Sequence, residues 1–401
     1  MDTSHNLIEK NIFPEIEAPL NEYSSFTSLD KILQKWFYKP DLQALRIVLG
    51  TIKAHYLNLG DPAWLFVVAP PGTGKTTMSI MGACGLPEVL TISDFTENTF
   101  LSGFHGHREP GILEKVGHTT NVGDTYTTNG NAIFLVKDFT TVLSMRREKR
   151  GVILSQLREI HDGWFKRAFG TGITKIWRGR VAIIAAVTPV LDRHYSIFSV
   201  LGERFLQLRA HRPDSEEAGE WAIQQQSHEE QIQQEVRETI DQIFKSSSNE
   251  SPVLPDNMRK RIASLAEVVA IGRTHVYRDN YGKREIEYVP EPEANTRISK
   301  GLASIARGIA ALNKREEVAE QDFQDTLRVG LDCLTDNRRR LLIAAYQDTD
   351  LDSVMMPRTV RSREIEDLEA LKIIEPNFPN PRMVLTDRIE KLMQMASLKL
   401  S

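Results

Sequence analysis

The residues directly after a short apolar run have the composition of a phosphate-binding loop. The run is Trp64–Val68, and residues 69–77 then read Ala-Pro-Pro-Gly-Thr-Gly-Lys-Thr-Thr. Glycines allow such a loop to curl so that successive backbone N–H groups point at phosphate oxygens. Lys75 would reach the outer phosphates, and the Thr76 hydroxyl would hold Mg²⁺. The sequence therefore predicts a nucleoside triphosphate site, formed by Pro71, Gly72, Thr73, Gly74, Lys75, Thr76 and Thr77.

A carboxylate after a second apolar run could hold the same Mg²⁺, since hydrolysis needs a second metal anchor and a group that orients water. Residues 132–136 are apolar and lead into Lys137 and Asp138, but the usual Asp-Glu pair is absent. Either Asp138 is the metal ligand and Phe139 replaces the base, or Lys137 replaces the metal ligand and Asp138 is the base. We favour the first assignment, because a lysine at the metal position would repel Mg²⁺.

The first assignment leaves no acid directly after Asp138. Hydrolysis is then slow, or another carboxylate orients the water, and Asp94 and Glu159 are the candidates. A further apolar run over 181–187 ends in Thr188. If this strand lies beside the phosphate loop, the Thr188 hydroxyl could touch the γ-phosphate and the attacking water.

An arginine follows in the sequence Gly-Glu-Arg-Phe at 202–205. Arg204 at this place could act as a finger that neutralises transition-state charge on a nucleotide bound by a neighbouring subunit. A surface ion pair is the alternative interpretation of this residue.

Composition and charge limit the class of protein. A chain of 401 residues can form two or three domains, and its formal charge of −4 excludes a generally basic protein. Two cysteines, Cys84 and Cys333, match no metal spacing and predict reduced structural thiols. The N-terminus has no apolar signal core, and the apolar stretch 181–190 is too short to span a bilayer. We expect a soluble, cytoplasmic protein.

Strands alternate with helices and loops in the first half of the chain, which predicts an α/β domain with a mainly parallel sheet. A hairpin is expected over 164–178 around Gly-Thr-Gly at 170–172, and residues 103–131 read as loops around one short helix. The predicted parallel strands are 64–68, 89–92, 132–136 and 181–187.

Changes in composition divide the chain into four parts. After Arg212 the sequence becomes acidic and rich in Gln, and residues 246–249 read as a hinge. The last 65 or so residues read as helix, short helix, helix and two strands around a proline-rich turn, the pattern of a winged helix. We therefore predict a flexible arm at 1–24, a nucleotide-binding core at 25–212, a helical lid at 213–335 and a winged-helix domain at 336–401.

Two basic segments could contact nucleic acid. The predicted hairpin and the strand after it lack acids between 164 and 190, and Trp164, Phe169 and Trp177 could stack on bases. The second segment opens a helix near the C-terminus and suits phosphate and base-edge contacts. The candidate residues are Lys166, Arg167, Lys175, Arg178 and Arg180 in the first segment, and Arg358, Arg361 and Arg363 in the second.

The order of these motifs resembles that of the AAA+ ATPase superfamily over about residues 30–335. The resemblance implies a P-loop α/β core in which Thr188 is the first sensor residue and Arg204 the finger that acts on a neighbouring subunit. It also implies that Arg297, at the start of an amphipathic segment, is the second sensor arginine and reaches the γ-phosphate from the lid. The cofactors it implies are ATP and Mg²⁺.

The hairpin before 181–187 resembles that of the pre-sensor-one hairpin clade, which includes minichromosome-maintenance helicases and MoxR-type ATPases. The chain is also similar to ATPases of phages and mobile elements with Lys-Asp-Phe-Thr at the acidic strand. The resemblance implies a homo-oligomeric motor or loader, a ring or a helix, that acts on DNA in a mobile-element, phage-replication or defence context. Two alternatives stay open: a MoxR-type protein-remodelling ATPase and an ATP-gated DNA-binding regulator with little hydrolysis.

Overall fold

The computed structural model describes residues 25–71, 85–101, 110–194, 204–211, 215–279, 284–377 and 382–396. Residues 72–77 of the predicted phosphate loop, the predicted arm 1–24 and Cys84 lie outside these ranges. The strands are β1 (Trp64–Val68), β2 (Val89–Ile92), β3 (His118–Val122), β4 (Thr125–Val136), β5 (Trp164–Ala168), β6 (Thr174–Val187), β7 (Phe205–Arg209), β8 (Tyr277–Arg278), β9 (Ile286–Tyr288), β10 (Ile374–Asn377) and β11 (Arg382–Leu385).

The helices fall between these strands and after them. They are α1 (Thr27–Trp36), α2 (Leu42–Tyr56), α3 (Ile112–Lys115), α4 (Thr140–Leu143), α5 (Arg147–His161), α6 (Ser215–Gln225), α7 (Glu229–Ser246), α8 (Asp256–Gly272), α9 (Thr296–Leu312), α10 (Glu320–Asp332), α11 (Asp336–Tyr346), α12 (Arg358–Ala370) and α13 (Asp387–Met395). Short 3-10 turns cover Pro189–His194, Gln226–His228 and Leu351–Ser353.

A mostly parallel sheet lies at the centre of an α/β core, as the sequence predicts. Its strands run in the order β2-β4-β6-β1-β7, and every neighbouring pair along this path is parallel. The carboxyl ends of the strands therefore share one edge of the sheet, which we call the carboxyl edge, and the starts of β1 and β7 lie at the opposite, amino edge. The four parallel strands expected from the sequence are present, and β7 is a fifth that it did not reveal.

The first halves of β4 and β6 extend beyond the parallel core and carry β3 and β5 as antiparallel partners. The predicted hairpin around residues 170–172 is thereby confirmed. The interpretation of 103–131 as loops around one helix was wrong for β3 and for the start of β4. All five residues of His118–Val122 are exposed, so the strand has no buried face and no alternating apolar pattern to reveal it.

Alternate residues of the central strands point to opposite faces of the sheet and build two hydrophobic layers. One layer continues into α1, α2 and the helices from α7 to α13, whereas the other is closed by α4, α5 and a cluster of aromatic rings. The strand residues of the first layer include Leu65, Val67, Ile133, Leu135, Ala182 and Ile184. Those of the second include Trp64, Phe66, Val68, Phe134, Ile183 and Ala185.

Two glycines bring α9, in the predicted lid, close to α2 of the core. A Cβ added to Gly308 would lie 2.0 Å from the Gly50 carbonyl oxygen, and one added to Gly50 would lie 2.3 Å from the Ile309 side chain. A side chain at either position would therefore force the helices apart. Because the first hydrophobic layer runs across this contact, the helices of the predicted lid pack directly on the α/β core.

The C-terminal segment contains two helices, α11 and α12, followed by the antiparallel pair β10 and β11. The helix α13, which the sequence did not reveal, packs its buried Ile389 and Met393 into the hydrophobic layer that also contains Val268 of α8. The buried Arg338 of α11 bonds to the carbonyls of Gly272 and Thr274 at 2.9 and 2.6 Å. The segment is thus anchored on α8 and the residues that follow it by apolar packing and by hydrogen bonds.

Candidate functional site

The chain leaves β1 at the carboxyl edge, between β6 and β7. The Ala69 N–H donates to the Val187 carbonyl, and the Ala210 N–H donates to the Val68 carbonyl, both at 3.0 Å. Pro71 is exposed, and Gly72–Thr77 lie beyond the described residues. Ligands of open parallel sheets bind outside the carboxyl ends of strands where the strand order reverses. The chain leaves β1 at such a place, since β2, β4 and β6 lie on one side of β1 and β7 on the other.

Asp138 and Thr188 meet at this edge through Thr140. Asp138 is half-buried, and its Oδ1 accepts the Thr140 N–H at 2.9 Å. The Thr140 hydroxyl oxygen accepts the Thr188 N–H at 3.1 Å and lies 3.3 Å from the Thr188 Oγ1. The ends of β4 and β6 are therefore tied together, with a carboxylate and two hydroxyls at the tip of the strand that neighbours β1.

Phe139 packs into the protein at the position where the usual motif has a base. Its side chain is fully buried, with ring-centre distances of 5.0 Å to Phe66 and 5.7 Å to Phe205. An aromatic ring held in this way can neither accept a proton nor orient water. The neighbouring Lys137 is exposed to solvent.

The two other carboxylates considered from the sequence lie in different places. Asp94 is exposed two residues after β2 and therefore shares the carboxyl edge. Glu159 lies near the end of α5, two residues before His161, whose ring packs edge-on against Trp64 at the start of β1 with 5.0 Å between ring centres. Glu159 is thus at the amino edge and does not serve a water near Asp138 of the same chain.

An open cleft lies at the amino edge. Its walls come from the segment before β1, the end of α5, the start of β7 and the start of α9. Arg204 and Arg297 both line this cleft, together with Asp61, Trp64, His161, Arg273 and Lys300. The structure brings together two arginines that are distant in the sequence, and it separates both from Asp138.

The strand register gives the distance between Arg204 and Thr188 along the sheet. Arg204 precedes Phe205, which is level with Trp64, whereas Thr188 follows Val187, which is level with Val68. Six residue steps at about 3.3 Å each place the levels of Arg204 and Thr188 roughly 20 Å apart along the sheet. One chain therefore does not gather Thr188 and Arg204 at a single site.

Ion pairs hold several cations of the cleft. Arg204 donates to both carboxylate oxygens of the exposed Asp162 at 3.1 Å, and Lys300 pairs with Asp61 at 2.9 Å. Arg297 is exposed. Burial and the nearby charge of Arg204 lower the pKa of His161 to about 4, so His161 is neutral at physiological pH. The charge that the cleft can offer to an anion therefore comes from its arginines and lysine.

The basic hairpin presents fewer cations than its sequence predicts. Lys166 and Arg178 are exposed, but Lys175 is buried and its ammonium lies 2.6 Å from the Glu114 carboxylate. Arg167 donates to the Glu97 carbonyl at 2.5 Å, and Arg180 donates to the His55 carbonyl at 2.6 Å. The side chains of these last three residues are engaged within the protein.

The aromatic residues of the hairpin and the arginines of α12 divide in a similar way. Trp177 is fully buried, whereas Trp164 is 44% exposed and can reach a ligand. Arg358 and Arg363 are exposed, but Arg361 bonds to the Val354 carbonyl and pairs with Asp352, both at 3.2 Å.

A buried ionic network, which no motif in the sequence indicated, connects the carboxyl edge to the helices after it. Arg209, the last residue of β7, forms a bidentate ion pair with Asp192 at 2.8 and 3.0 Å, and Asp192 lies in the turn that follows Thr188. The Arg209 N–H donates to Asp332 at 2.8 Å, and the same carboxylate pairs with Arg339 of α11 at 2.6 Å. The tip of β6 is thereby joined to α10 and α11 by charged groups.

No protein-family model matches this chain, and no curated protein matches it significantly. Within the described ranges, no group of three or more His, Cys, Asp or Glu side chains could hold a metal ion. Among the residues that the structure describes, no helix has the length and hydropathy needed to cross a membrane.

Proposed function

We propose that this protein is a AAA+ ATPase that hydrolyses ATP at the interfaces of a homo-oligomer and acts on DNA as a motor or a loader. The observation that carries the proposal is the division of the predicted site residues between two edges of one sheet. Asp138 and Thr188 lie at the carboxyl edge beside the chain that enters the phosphate loop, and Arg204 and Arg297 lie together at the amino edge.

The residues at the carboxyl edge suit ATP and Mg²⁺. Lys75 and the loop N–H groups would hold the phosphates, while Thr76 and Asp138 would supply hard oxygen ligands to the metal. Thr188, held by Thr140, would contact the γ-phosphate. Bound Mg²⁺ would supply charge neutralisation of the phosphates.

The residues at the amino edge would complete the site of a neighbouring protomer. Roughly 20 Å of sheet separates Arg204 from Thr188 at the carboxyl edge of its own chain, so its guanidinium would neutralise charge on the neighbour's triphosphate. Arg297 lines the same cleft, which revises the expectation that it reaches the γ-phosphate of its own chain. Contact between the amino edge of one protomer and the carboxyl edge of the next is head-to-tail, and such contacts build rings or helices.

The exposed basic residues would make the contacts with DNA. Arg358 and Arg363 sit at the start of α12, whose position before the β10–β11 pair suits a winged helix that contacts phosphates. A network of ion pairs and hydrogen bonds runs from Asp192 through Arg209 and Asp332 to Arg339. Through it, a change in the position of Thr188 on ATP binding could move α11 and the C-terminal segment.

A second candidate, an ATP-gated DNA-binding regulator with little hydrolysis, is favoured by Phe139. The buried ring leaves the carboxyl edge without a base directly after Asp138. This candidate keeps the nucleotide site, the oligomer and the DNA contacts, and it differs only in the rate of phosphate release.

Three measurements on the full chain test the proposal. ATP binding and steady-state phosphate release are measured with and without DNA, and the oligomeric state is measured by sedimentation with a slowly hydrolysed ATP analogue. We expect Mg²⁺-dependent release that DNA stimulates, together with assembly in the presence of nucleotide. ATP-dependent assembly without appreciable release supports the second candidate. A Lys75→Ala variant that binds ATP normally, or a chain that stays monomeric with nucleotide, contradicts both.

A further inference from the structure

A continuous, exposed sheet face lies beyond the parallel core, where β3, β4, β6 and β5 run side by side. The pairing register places alternate residues of each strand on the same side. We call this side the open face. Its members are His118, Thr120 and Val122 of β3, Thr125, Thr127 and Asn129 of β4, Thr174, Ile176 and Arg178 of β6, and Trp164, Lys166 and Ala168 of β5.

The two sides of this small sheet differ sharply in burial. On the opposite side, Thr128, Phe165, Lys175 and Trp177 are buried against the protein. On the open face, each of the twelve residues is exposed or half-buried, and Trp164 is 44% exposed. Because of the strand pleat, Lys175 and Arg167 point into the protein, whereas Lys166 and Arg178 point into solvent. Only the second pair is free to contact a ligand on the open face.

The chemistry of the open face favours an anionic partner. Its twelve residues include Lys166, Arg178 and His118 and no Asp or Glu, in a chain with a formal charge of −4. Threonines and Asn129 line the strands between them and can donate and accept hydrogen bonds. Trp164 lies directly opposite Arg178 across the β5–β6 pair, so an aromatic ring and a cation share one cross-strand position.

The shape of the open face distinguishes single-stranded from double-stranded nucleic acid. Four strands at about 4.8 Å spacing span roughly 15 Å, which exceeds the width of about 12 Å of the B-DNA major groove. A sheet of this width cannot enter the groove as a two-stranded ribbon does. An exposed indole ring can stack only on a base whose face is free, as in single strands.

We propose that the open face binds single-stranded nucleic acid, with a base stacked on Trp164 and backbone phosphates held by Lys166 and Arg178. The inference rests on the proposed function and specifies its substrate: the strand engaged by the α/β core is unpaired. Residues of β3 and β4, which had no place in the sequence-based interface, extend the surface on the side away from Trp164.

The test measures the affinity of the full chain for a fluorescent oligothymidylate and for a labelled duplex over a salt series. We expect Trp164→Ala to lower single-strand affinity about ten-fold or more and Trp164→Phe to restore part of it, because every aromatic ring offers a stacking face. Lys166→Glu with Arg178→Glu should reduce the salt slope by about 1.4, since each single-strand phosphate contact contributes about 0.7. The matched control, Arg259→Glu with Lys260→Glu, makes the same charge change on exposed residues of α8 and should leave the slope intact.

Circular dichroism and thermal melting of each variant establish that it is folded. The inference is overturned if the folded open-face variants bind the single strand as tightly as the control variant does. It is also overturned if the open-face residues bind the duplex at least as tightly as the single strand. ATP turnover measured in parallel separates the two proposals. If the open-face variants bind the single strand normally while ATP turnover is normal, the open-face proposal is wrong and the ATPase proposal stands. If these variants lose single-strand binding but the chain does not bind ATP, the ATPase proposal is wrong and the open-face proposal stands.

Discussion

Arg204 and Thr188 lie at opposite edges of the same sheet, although the chain passes from one to the other within a single connection between β6 and β7. Thr188 is the first residue beyond the carboxyl end of β6, and Arg204 is the residue before β7 begins. Because Arg297 joins Arg204 in the cleft at the amino edge, two of the four proposed catalytic residues face away from the other two. A site that uses all four residues would therefore need two protomers.

The contact between Thr140 and Thr188 should affect chemistry more than binding. Thr140→Val removes the hydroxyl that joins the two strand ends and keeps the shape of the side chain. Without its two contacts to Thr140, Thr188 would be less well placed to contact the γ-phosphate. A loss of about 1 kcal/mol in the transition state, the size of one neutral hydrogen bond, should lower kcat about five-fold with KM for ATP little changed. Phosphate release against ATP concentration measures both. The control is Thr119→Val, which removes a similar hydroxyl contact between Thr119 of β3 and Thr128 of β4. An equal fall in kcat in this control would contradict the role assigned to Thr140 and Thr188.

The pair of Arg328 and Asp41 should be essential for stability. Both side chains are buried, with contacts at 2.6 and 2.7 Å, and although burial raises the pKa of Asp41, the charge of Arg328 lowers it well below its ordinary value. Arg328→Met would leave a buried carboxylate unpaired and should cost about 3–5 kcal/mol in the free energy of unfolding, measured with urea. Adding Asp41→Asn removes that charge and keeps an N-cap acceptor for α2, so the double variant should recover much of the loss.

An exposed ion pair provides the comparison for this experiment. Lys245 and Asp241 pair on the surface of α7, and Lys245→Met should change the free energy of unfolding by less than about 0.5 kcal/mol. An Arg328→Met variant as stable as the Lys245→Met variant would show that the Arg328–Asp41 pair does not hold α10 against the start of α2.

His161 should make the protein less stable in mild acid. Burial, followed by the charge of Arg204, lowers its pKa from 6.5 to about 4, so between these values the unfolded chain binds a proton that the folded chain does not. Its contribution is complete above pH 6.5 and falls as the pH drops through 4, by at most about 3 kcal/mol. His161→Gln should flatten the fall in unfolding free energy over this window, whereas the exposed His118→Gln should not. Equal slopes in all three proteins would contradict the burial of a neutral His161.

The three arginines of α12 should behave differently in duplex DNA binding. Arg358 and Arg363 are exposed, so their joint change to Ala should weaken duplex binding and reduce the salt slope by about 1.8, at about 0.9 for each phosphate contact. Arg361 is held by the Val354 carbonyl and Asp352, so Arg361→Ala should chiefly lower the melting temperature. A salt slope that responds to Arg361 and not to the exposed pair would contradict this division.

The sequence predicted the elements that carry a clear hydrophobic signal. The runs at β1 and at the ends of β4 and β6 are buried on both faces. Together with the partly buried β2, they alternate with helices as a parallel sheet requires. The strand β3 has five exposed residues and thus no periodic signal. The edge strand β7 is short and begins directly after Arg204. Arg204 was interpreted from its sequence motif, and that motif does not predict a strand.

Side-chain roles were harder to predict because they depend on register and on distant contacts. Lys166 and Lys175 look equivalent in the sequence, and only the pairing of β5 with β6 shows that one is exposed and the other is bonded to Glu114. The positions of Arg297 and Glu159 at the amino edge depend on how α9 and α5 pack on the sheet, which no local pattern records.

The central claim is that two protomers share each triphosphate, and mixing two inactive variants tests it most directly. Lys75→Ala would disable the phosphate loop, and Arg204→Ala would remove the group offered to the neighbour. Each variant alone should release little phosphate. A mixture in equal amounts should regain about a quarter of the wild-type rate, because that share of head-to-tail interfaces joins an intact loop to an intact arginine. A mixture of folded, co-assembled variants that stays inactive, or an Arg204→Ala protein with the wild-type rate, would contradict the account.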